Sequence, residues 1–377
     1  GVRARAELSP GAALGETAVA VDLSEGSLID ANIGLDNSSN RYTGRRRVTA
    51  GINLNDPSGI GDQLALLVSS TGSDFKYARA GYVMPVGASG TRLGLSYAGL
   101  RYRLGEEFEA LDARGTAKVG QVLLTHPLLR TRRASLQLRV AYEDKRYVNS
   151  ASGAQLSDKL VRTVPVGLVF GAQDNWNGGG YTSASIDLTP GHLDLSGNAA
   201  NAAADAVSER SAGRFLRTNY LLSRQQRLAG PVSLLASVSG QFATSNLESG
   251  EKISLGGPGR VRAYAAGEAS GDEGHVATLE AHLELAAVNA GIGAFADYGH
   301  VTLNHDVYPA ARAPGARNSY ALKGAGLALS WRPWAGTVAQ FTVARKIGSN
   351  PGLNANGRDV DGSSARTRAW FQVQHYF

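Results

Sequence analysis

Residues 276–285 read VATLEAHLEL. Ala277, Leu279, Ala281, Leu283 and Leu285 take every second position, with Thr278, Glu280, His282 and Glu284 between them. Successive side chains of a strand point to opposite faces, so this stretch is a strand with one apolar and one wet side. Residues 134–147 repeat the pattern, Leu136, Leu138, Val140 and Tyr142 alternating with Ser135, Gln137, Arg139, Ala141 and Glu143. Weaker versions run over residues 63–70, 232–241, 292–298, 325–331 and 337–343. Helical periodicity is scarce throughout.

Compact turn clusters rich in Gly, Pro and Asp lie at residues 55–62, 86–90, 227–231 and 332–336. Long polar stretches fill other connections. Short turns on one side, long loops on the other and about sixteen strands of roughly ten residues fit a transmembrane barrel, which needs an even number of antiparallel strands of about that length. The expected fold is all-β: a 16-stranded antiparallel transmembrane β-barrel. Composition agrees, with 47 Gly and only 19% charged residues. A soluble sandwich would also alternate, but so many strands with one continuous apolar face and so little charge favour lipid.

Several classes fall away. Cysteine is absent, which removes disulfide frameworks, thiol nucleophiles and cysteine-bound metals. No apolar run reaches a membrane helix; the nearest, residues 286–296, is short and contains Asn289. The net charge of +6 (38 Lys+Arg against 32 Asp+Glu) is too small to indicate a nucleic-acid partner. The first residues show no charged-then-apolar leader, so the chain is expected to be a mature or truncated piece.

The last ten residues alternate Ala369, Phe371, Val373, His375 and Phe377 against Trp370, Gln372, Gln374 and Tyr376. Bacterial outer-membrane barrels commonly end on such an aromatic residue, so Phe377 is the expected assembly signal and the barrel assembly machinery a partner during biogenesis. His375 is the one polar residue in the outward row.

One loop is unlike the others. Residues 255–274 read LGGPGRVRAYAAGEASGDEG and lie in a connection of about 33 residues, 243–275, far longer than a hairpin needs. A lid folded into the lumen is expected. In residues 291–299 the outward row is Ile292, Ala294, Ala296 and Tyr298, which turns Phe295 and Asp297 toward the lumen. A guanidinium in a partly dehydrated lumen requires a carboxylate, and a bidentate pair is the strongest side-chain clamp available. Spacing alone leaves open whether Arg262 is simply one of 31 arginines on a solvated loop.

This segment closely resembles the signature of the TpsB transporters of two-partner secretion, exporters of filamentous haemagglutinins, haemolysins and contact-dependent toxins within the superfamily of the BAM assembly barrel. The superfamily motif Val-Arg-Gly-Tyr/Phe stands here as Val261-Arg262-Ala263-Tyr264. Gly256, Gly257 and Pro258 precede it, and the following Gly267-Glu268-Ala-Ser-Gly271-Asp272-Glu273-Gly274 points to TpsB over the assembly factors. Phe295-x-Asp297-x-Gly299 and Gly324-x-Gly326 look like the family's next strands. Asp36-Asn37, residues 59–62 and residues 82–87 resemble its early barrel segments. Residues 6–11 and 19–23 resemble the tail of a second POTRA module, so residues 1–24 are assigned to that tail and 25–377 to the barrel.

The resemblance implies an outer-membrane pore of a Gram-negative bacterium that exports an unfolded TpsA polypeptide without nucleotide energy. It also implies a lumen lock between Arg262 and Asp297. The alternative is a BAM/TAM-like assembly factor, which should lack the Gly267–Gly274 stretch. An enzyme needs a catalytic cluster that is not found, and no cofactor or metal is expected. Glu280, His282 and Glu284 share a strand face about 7 Å apart, which suits a wet lumen wall better than a metal site. Gly256–Arg260 is no phosphate loop, since no Gly-Lys-Ser/Thr follows. Asp272 and Glu273 are read as a solvated or lumen-contacting charge pair. Arg45, Arg46 and Arg47 are the candidates for lipopolysaccharide phosphates at the outer rim, and the protein is expected to be a monomer.

Overall fold

The computed structural model describes residues 2–10, 16–312 and 317–377. Strands Val2–Pro10 and Thr17–Glu25 pair as an antiparallel hairpin outside the barrel sheet. The rest of the chain closes into a barrel of sixteen antiparallel strands. They are β1 (Ile29–Asp36), β2 (Arg47–Asn55), β3 (Gln63–Ser70), β4 (Phe75–Val86), β5 (Thr91–Arg103), β6 (Arg114–Arg130), β7 (Ala134–Ala151) and β8 (Ala154–Thr163 continuing as Val166–Asp174). The circuit continues with β9 (Gly180–Asp194), β10 (Gly213–Arg227), β11 (Val232–Ala243), β12 (Glu273–Leu285), β13 (Ala290–Thr302), β14 (Ser319–Trp331), β15 (Thr337–Lys346) and β16 (Thr367–Tyr376). The two halves of β8 are one strand interrupted at Pro165, which has no amide hydrogen to give the ladder; both halves pair with β7 and β9.

The alternation becomes a wall with two surfaces. Ile33, Val48, Leu66, Leu95, Leu279, Leu327 and Phe341 stay exposed on the outside, as a lipid-facing band requires. Hydrocarbon offers backbone amides no partner, so the sheet must close. The closing seam is the shortest ladder of the barrel: β1 and β16 share five register pairs, against fourteen between β9 and β10. Asn37 lengthens it. Its amide donates to the Phe371 carbonyl at 3.3 Å. Its side-chain oxygen accepts from the Phe371 amide at 2.9 Å, and its side-chain nitrogen donates to the Ala369 carbonyl at 3.1 Å. At the other end the Phe377 amide donates to the Ala31 carbonyl at 2.9 Å. His375 sits in the outward row at low cost because Thr337, directly across the ladder, lies 2.7 Å from its Nδ1.

The two ends differ from the expected short-turn and long-loop division. Opposite the turns, β3 joins β4 through residues 71–74 and β7 joins β8 through residues 152–153. There β6 and β7 run 17 and 18 residues, so the wall itself rises where loops were expected.

If the Asn37 side chain holds the seam, Asn37→Ala removes two hydrogen bonds worth about 0.5–1.5 kcal/mol each. The folded, fast-migrating band on unboiled gels should then be lost at a lower temperature than in the parent. An unchanged transition would show that the side chain adds nothing to closure.

Candidate functional site

Residues 244–272 leave β11, cross the lumen and return to β12. The lid begins one residue later than expected and ends earlier: Glu273 and Gly274 belong to β12. A two-residue ladder, Ile253–Ser254 against Ser270–Gly271, ties its base. Leu255, Val261, Ala263, Tyr264 and Ala269 of the lid are buried against Val276, Phe295, Val301, Tyr320, Leu322 and Ala344 of the β12–β15 wall. An apolar patch on the inner face of a barrel is unusual, and here the lid covers it. Each fully buried Val or Leu side chain contributes about 1.5–3 kcal/mol.

Glycine makes the seat flat. A Cβ on Gly324 would come 2.6 Å from that of Ala263, and one on Gly299 would come 2.9 Å from Val261 Cγ2. A Cβ on Gly326 would meet Phe295 at 2.7 Å. Within the lid, a Cβ on Gly256 would strike the Ala265 carbonyl oxygen at 2.1 Å. Gly257, beside Pro258, has φ 129°, a conformation L-residues rarely adopt.

Arg262 descends from this apolar layer onto the charged part of the wall. Its Nε donates to Asp297 Oδ2 at 3.0 Å and its Nη2 to Oδ1 at 2.9 Å, while its backbone amide also donates to Oδ2 at 3.0 Å. Its Nη1 donates to Glu280 Oε2 at 2.7 Å. The Phe295 ring lies 3.2 Å from the guanidinium carbon, a stacked cation–π contact. Thr278 donates to Asp297 Oδ1 at 3.0 Å, and Trp370 Nε1 donates to the Arg262 carbonyl at 2.8 Å. The Asp297 side chain is wholly buried. Burial works to lower the Arg262 pKa, but the hydrogen bonds and charges of Asp297 and Glu280 outweigh it and hold it above the ordinary value.

Other lid residues reach other walls. Glu268 accepts from Asn350 Nδ2 and from the Val360 amide, both at 2.8 Å, which ties the lid to the loop before β16. Burial raises its carboxyl pKa, opposed only in part by those two donors. Tyr264 lies under the Lys346 ammonium, 5.0 Å from the ring centre, and burial raises its phenol to about 12. Asp272 is fully buried and accepts from the Leu247 and His305 amides at 3.0 and 2.9 Å, with Lys252 at 3.1 Å. Glu273 pairs with His305 at 2.7 Å. Gly271 and Gly274 pass close to the β13 backbone.

Three features escaped sequence reasoning. Glu280, assigned to a wet wall, is buried and is the second carboxylate on Arg262. Trp370 was read only as part of the terminal strand. The third is a separate anchor at the lid's start. Glu251 meets Lys145 of β7 at 2.9 Å and Arg217 of β10 at 3.3 Å; Glu248 meets Lys159 of β8 at 2.7 Å. Burial would raise the Glu248 carboxyl, but Lys159 brings it below its usual value. Leu247 packs beside them on Val161, Leu193 and Phe215. Nothing in the local pattern pairs these acids with lysines 89 and 106 residues away or with an arginine 34 residues away. Of the rim arginines, Arg47 turns inward onto Asp36 at 3.1 Å, while Arg45 and Arg46 remain exposed.

Residues 15–325 match the family model of the haemolysin secretion/activation proteins ShlB/FhaC/HecB. The heme/hemopexin transporter protein HuxB of Haemophilus influenzae strain 86-028NP is 30% identical over 93% of this chain. The chain spans 62% of the length of that relative. Among solved structures, CdiB from Escherichia coli covers 99% of the chain, and 67% of its own length, at TM-score 0.78 and 20% identity. CdiB from Acinetobacter baumannii gives TM-score 0.75 at 18% identity, over 100% of this chain and 66% of its own. BamA from Haemophilus ducreyi lacking POTRA domains 1–3 gives 0.65 at 14%, over 100% and 75%. At these identities the structures share the fold.

Two anchors on different walls loosen separately. Removing one member of a buried pair costs about 3–5 kcal/mol, so Arg262→Ala and Asp297→Ala should each speed hydrogen exchange of residues 261–268 by roughly 10²- to 10⁴-fold. Glu251→Gln should instead speed exchange of residues 247–254 and leave 261–268 protected. Uniform loosening by all three variants would contradict two independent anchors.

Proposed function

The chain belongs to the ShlB/FhaC/HecB family of haemolysin secretion/activation proteins, and from that membership we propose that it exports an unfolded TpsA exoprotein from the periplasm to the cell surface. The observation that carries this reading is the Arg262 clamp, which holds a movable segment across a wide polar lumen. A passive pore would stand open, and an enzyme would need a reactive cluster where this site holds one guanidinium between two carboxylates. Asp297 and Glu280 give the guanidinium two carboxylates in a space that excludes bulk water, so the lid is strongly held yet bound by no covalent link. The passing chain supplies the free energy by folding outside; no nucleotide takes part.

The remaining assignments follow from the same reading. The barrel sits in the outer membrane of a Gram-negative bacterium, with the hairpin and the short turns facing the periplasm. Residues 1–24 form the tail of a POTRA module that captures the exoprotein. Arg262, Asp297, Val261 and Tyr264 are the lock, and the signature glycines are its seat. Phe377 is the signal for the assembly machinery, and the protein acts as a monomer. The family consists of transporters, and no catalytic residue is assigned.

Export of a TpsA exoprotein made in the same cells as the full-length protein tests the proposal. Arg262→Ala and Asp297→Ala should each cut the secreted partner sharply while the folded band stays near parental level, with the double variant no worse than the worse single. Normal export by both variants would remove the lock from the mechanism. Undisturbed partner export on deletion, with loss of other outer-membrane proteins, would favour the assembly factor instead.

A further inference from the structure

The outer face of β4–β6 carries cations that no acid balances. Lys76 and Arg101 stand directly opposite in the β4–β5 ladder. Lys118 of β6 stands opposite Gly99, one outward position below Arg101, and its partner on β7 is Arg146. Like charges facing across a ladder destabilise a sheet, and two such pairs adjoin here. Asp158 is on Arg146 at 2.6 Å, Asp144 on Arg162 at 3.2 Å and Asp112 on Arg103 at 2.6 Å, while Asp74, just before β4, accepts from Ser73 Oγ at 2.9 Å. Among the described residues, no carboxylate lies within ion-pair distance of Lys76, Arg101 or Lys118, and all three side chains are exposed.

Beneath the cations the outward row is cut away. Ala78 and Gly99 come first, then Ala80 and Gly120 on either side of Tyr97. A Cβ built on Gly99 or Gly120 would meet nothing within 4 Å. Tyr97, 57% exposed, therefore stands between two troughs that run into the lipid-facing band at Leu95 and Val122. This is the end of the barrel remote from the short turns, where β4 begins and β5 ends.

We propose that Lys76, Arg101 and Lys118 bind the phosphates of an outer-leaflet phosphorylated glycolipid, the lipid A part of lipopolysaccharide, with its acyl chains in the troughs beside Tyr97. Charge complementarity selects the anion, and the troughs opening into the apolar band select an amphiphile over a soluble polyanion. The site rests on the outer-membrane placement proposed above and is independent of what the pore transports. It also differs from the rim arginines Arg45, Arg46 and Arg47, one of which is already paired in the lumen.

Native mass spectrometry of the full-length protein in detergent, with bisphosphorylated lipid A added, tests it. The parent should keep one lipid A through detergent washing. The variant Lys76→Gln/Arg101→Gln/Lys118→Gln should hold it roughly 100-fold more weakly, and Arg45→Gln/Arg46→Gln should match the parent. Lipid A stripped of both phosphates should not be retained, and millimolar inorganic phosphate should not displace the intact lipid. Equal retention by the triple variant, equal retention of the dephosphorylated lipid, or displacement by phosphate would each overturn the assignment. If the triple variant shows no folded band on unboiled gels, the three single variants are compared instead, each expected to lose about fivefold. No exoprotein enters the assay, so a failed lipid site and a failed export reading are told apart.

Discussion

A guanidinium inside a closed barrel is the constraint on which the lid depends. Away from bulk water it must be neutralised, and a single carboxylate leaves part of its donor set unmet. Arg262 has two: Asp297 takes the Nε and Nη2 edge in bidentate fashion, and Glu280 takes Nη1. Both acids stand on neighbouring strands, β12 and β13, whose ladder fixes their separation. The barrel wall thus sets the geometry before the lid arrives. The lid backbone joins in, since the Arg262 amide donates to Asp297 and its carbonyl accepts from Trp370. Moving the lid means breaking side-chain and main-chain contacts together.

The glycines around the clamp have one purpose in common. Ala263 and Val261 could not approach the wall if Gly324 and Gly299 carried side chains, and Gly326 leaves room for the Phe295 ring that stacks on the guanidinium. Close approach turns a polar lumen wall into a small dry interface, and in that interface the ion pair is shielded from water and salt. The opposite anchor, Glu251 with Lys145 and Arg217, is buried among charged neighbours, and the close glycine contact beside it is indirect: Gly191 leaves room for the Phe215 ring that packs with Leu247. The lid is therefore a beam fixed at both ends by unlike joints. The Arg262 end combines apolar packing with charge, and the Glu251 end relies chiefly on ion pairs and Leu247.

Much of this was legible in the sequence. Period-two alternation located the strands, and the phase of residues 292–298 turned Asp297 inward. Strand phase also placed Glu280 on the inner face, but a single strand cannot show that a loop from elsewhere will cover it. The pairs of Glu248 and Glu251 were hidden because their partners lie on β7, β8 and β10, reached only after the barrel has closed. Likewise His375 looked misplaced until the ladder set Thr337 opposite it. The expectation of long loops at one end failed at residues 71–74 and 152–153. At the second, β6 and β7 extend beyond the usual strand length, a matter of where pairing stops and not of local composition. The cations Lys76, Arg101 and Lys118 were visible as residues, but their convergence on one outer patch required the register.

In the proposed export the lid must leave its seat for a chain to pass. The chain has no cysteine of its own, so a single introduced thiol can report on this. Leu255 is fully buried in the seat, and a cysteine there is smaller than the leucine it replaces. In the full-length protein carrying Leu255→Cys, a membrane-impermeant maleimide should label the thiol while the exoprotein is being exported and leave it unlabelled when no exoprotein is made. Export at the parental level with the thiol unlabelled throughout would mean that the chain passes with the lid in place.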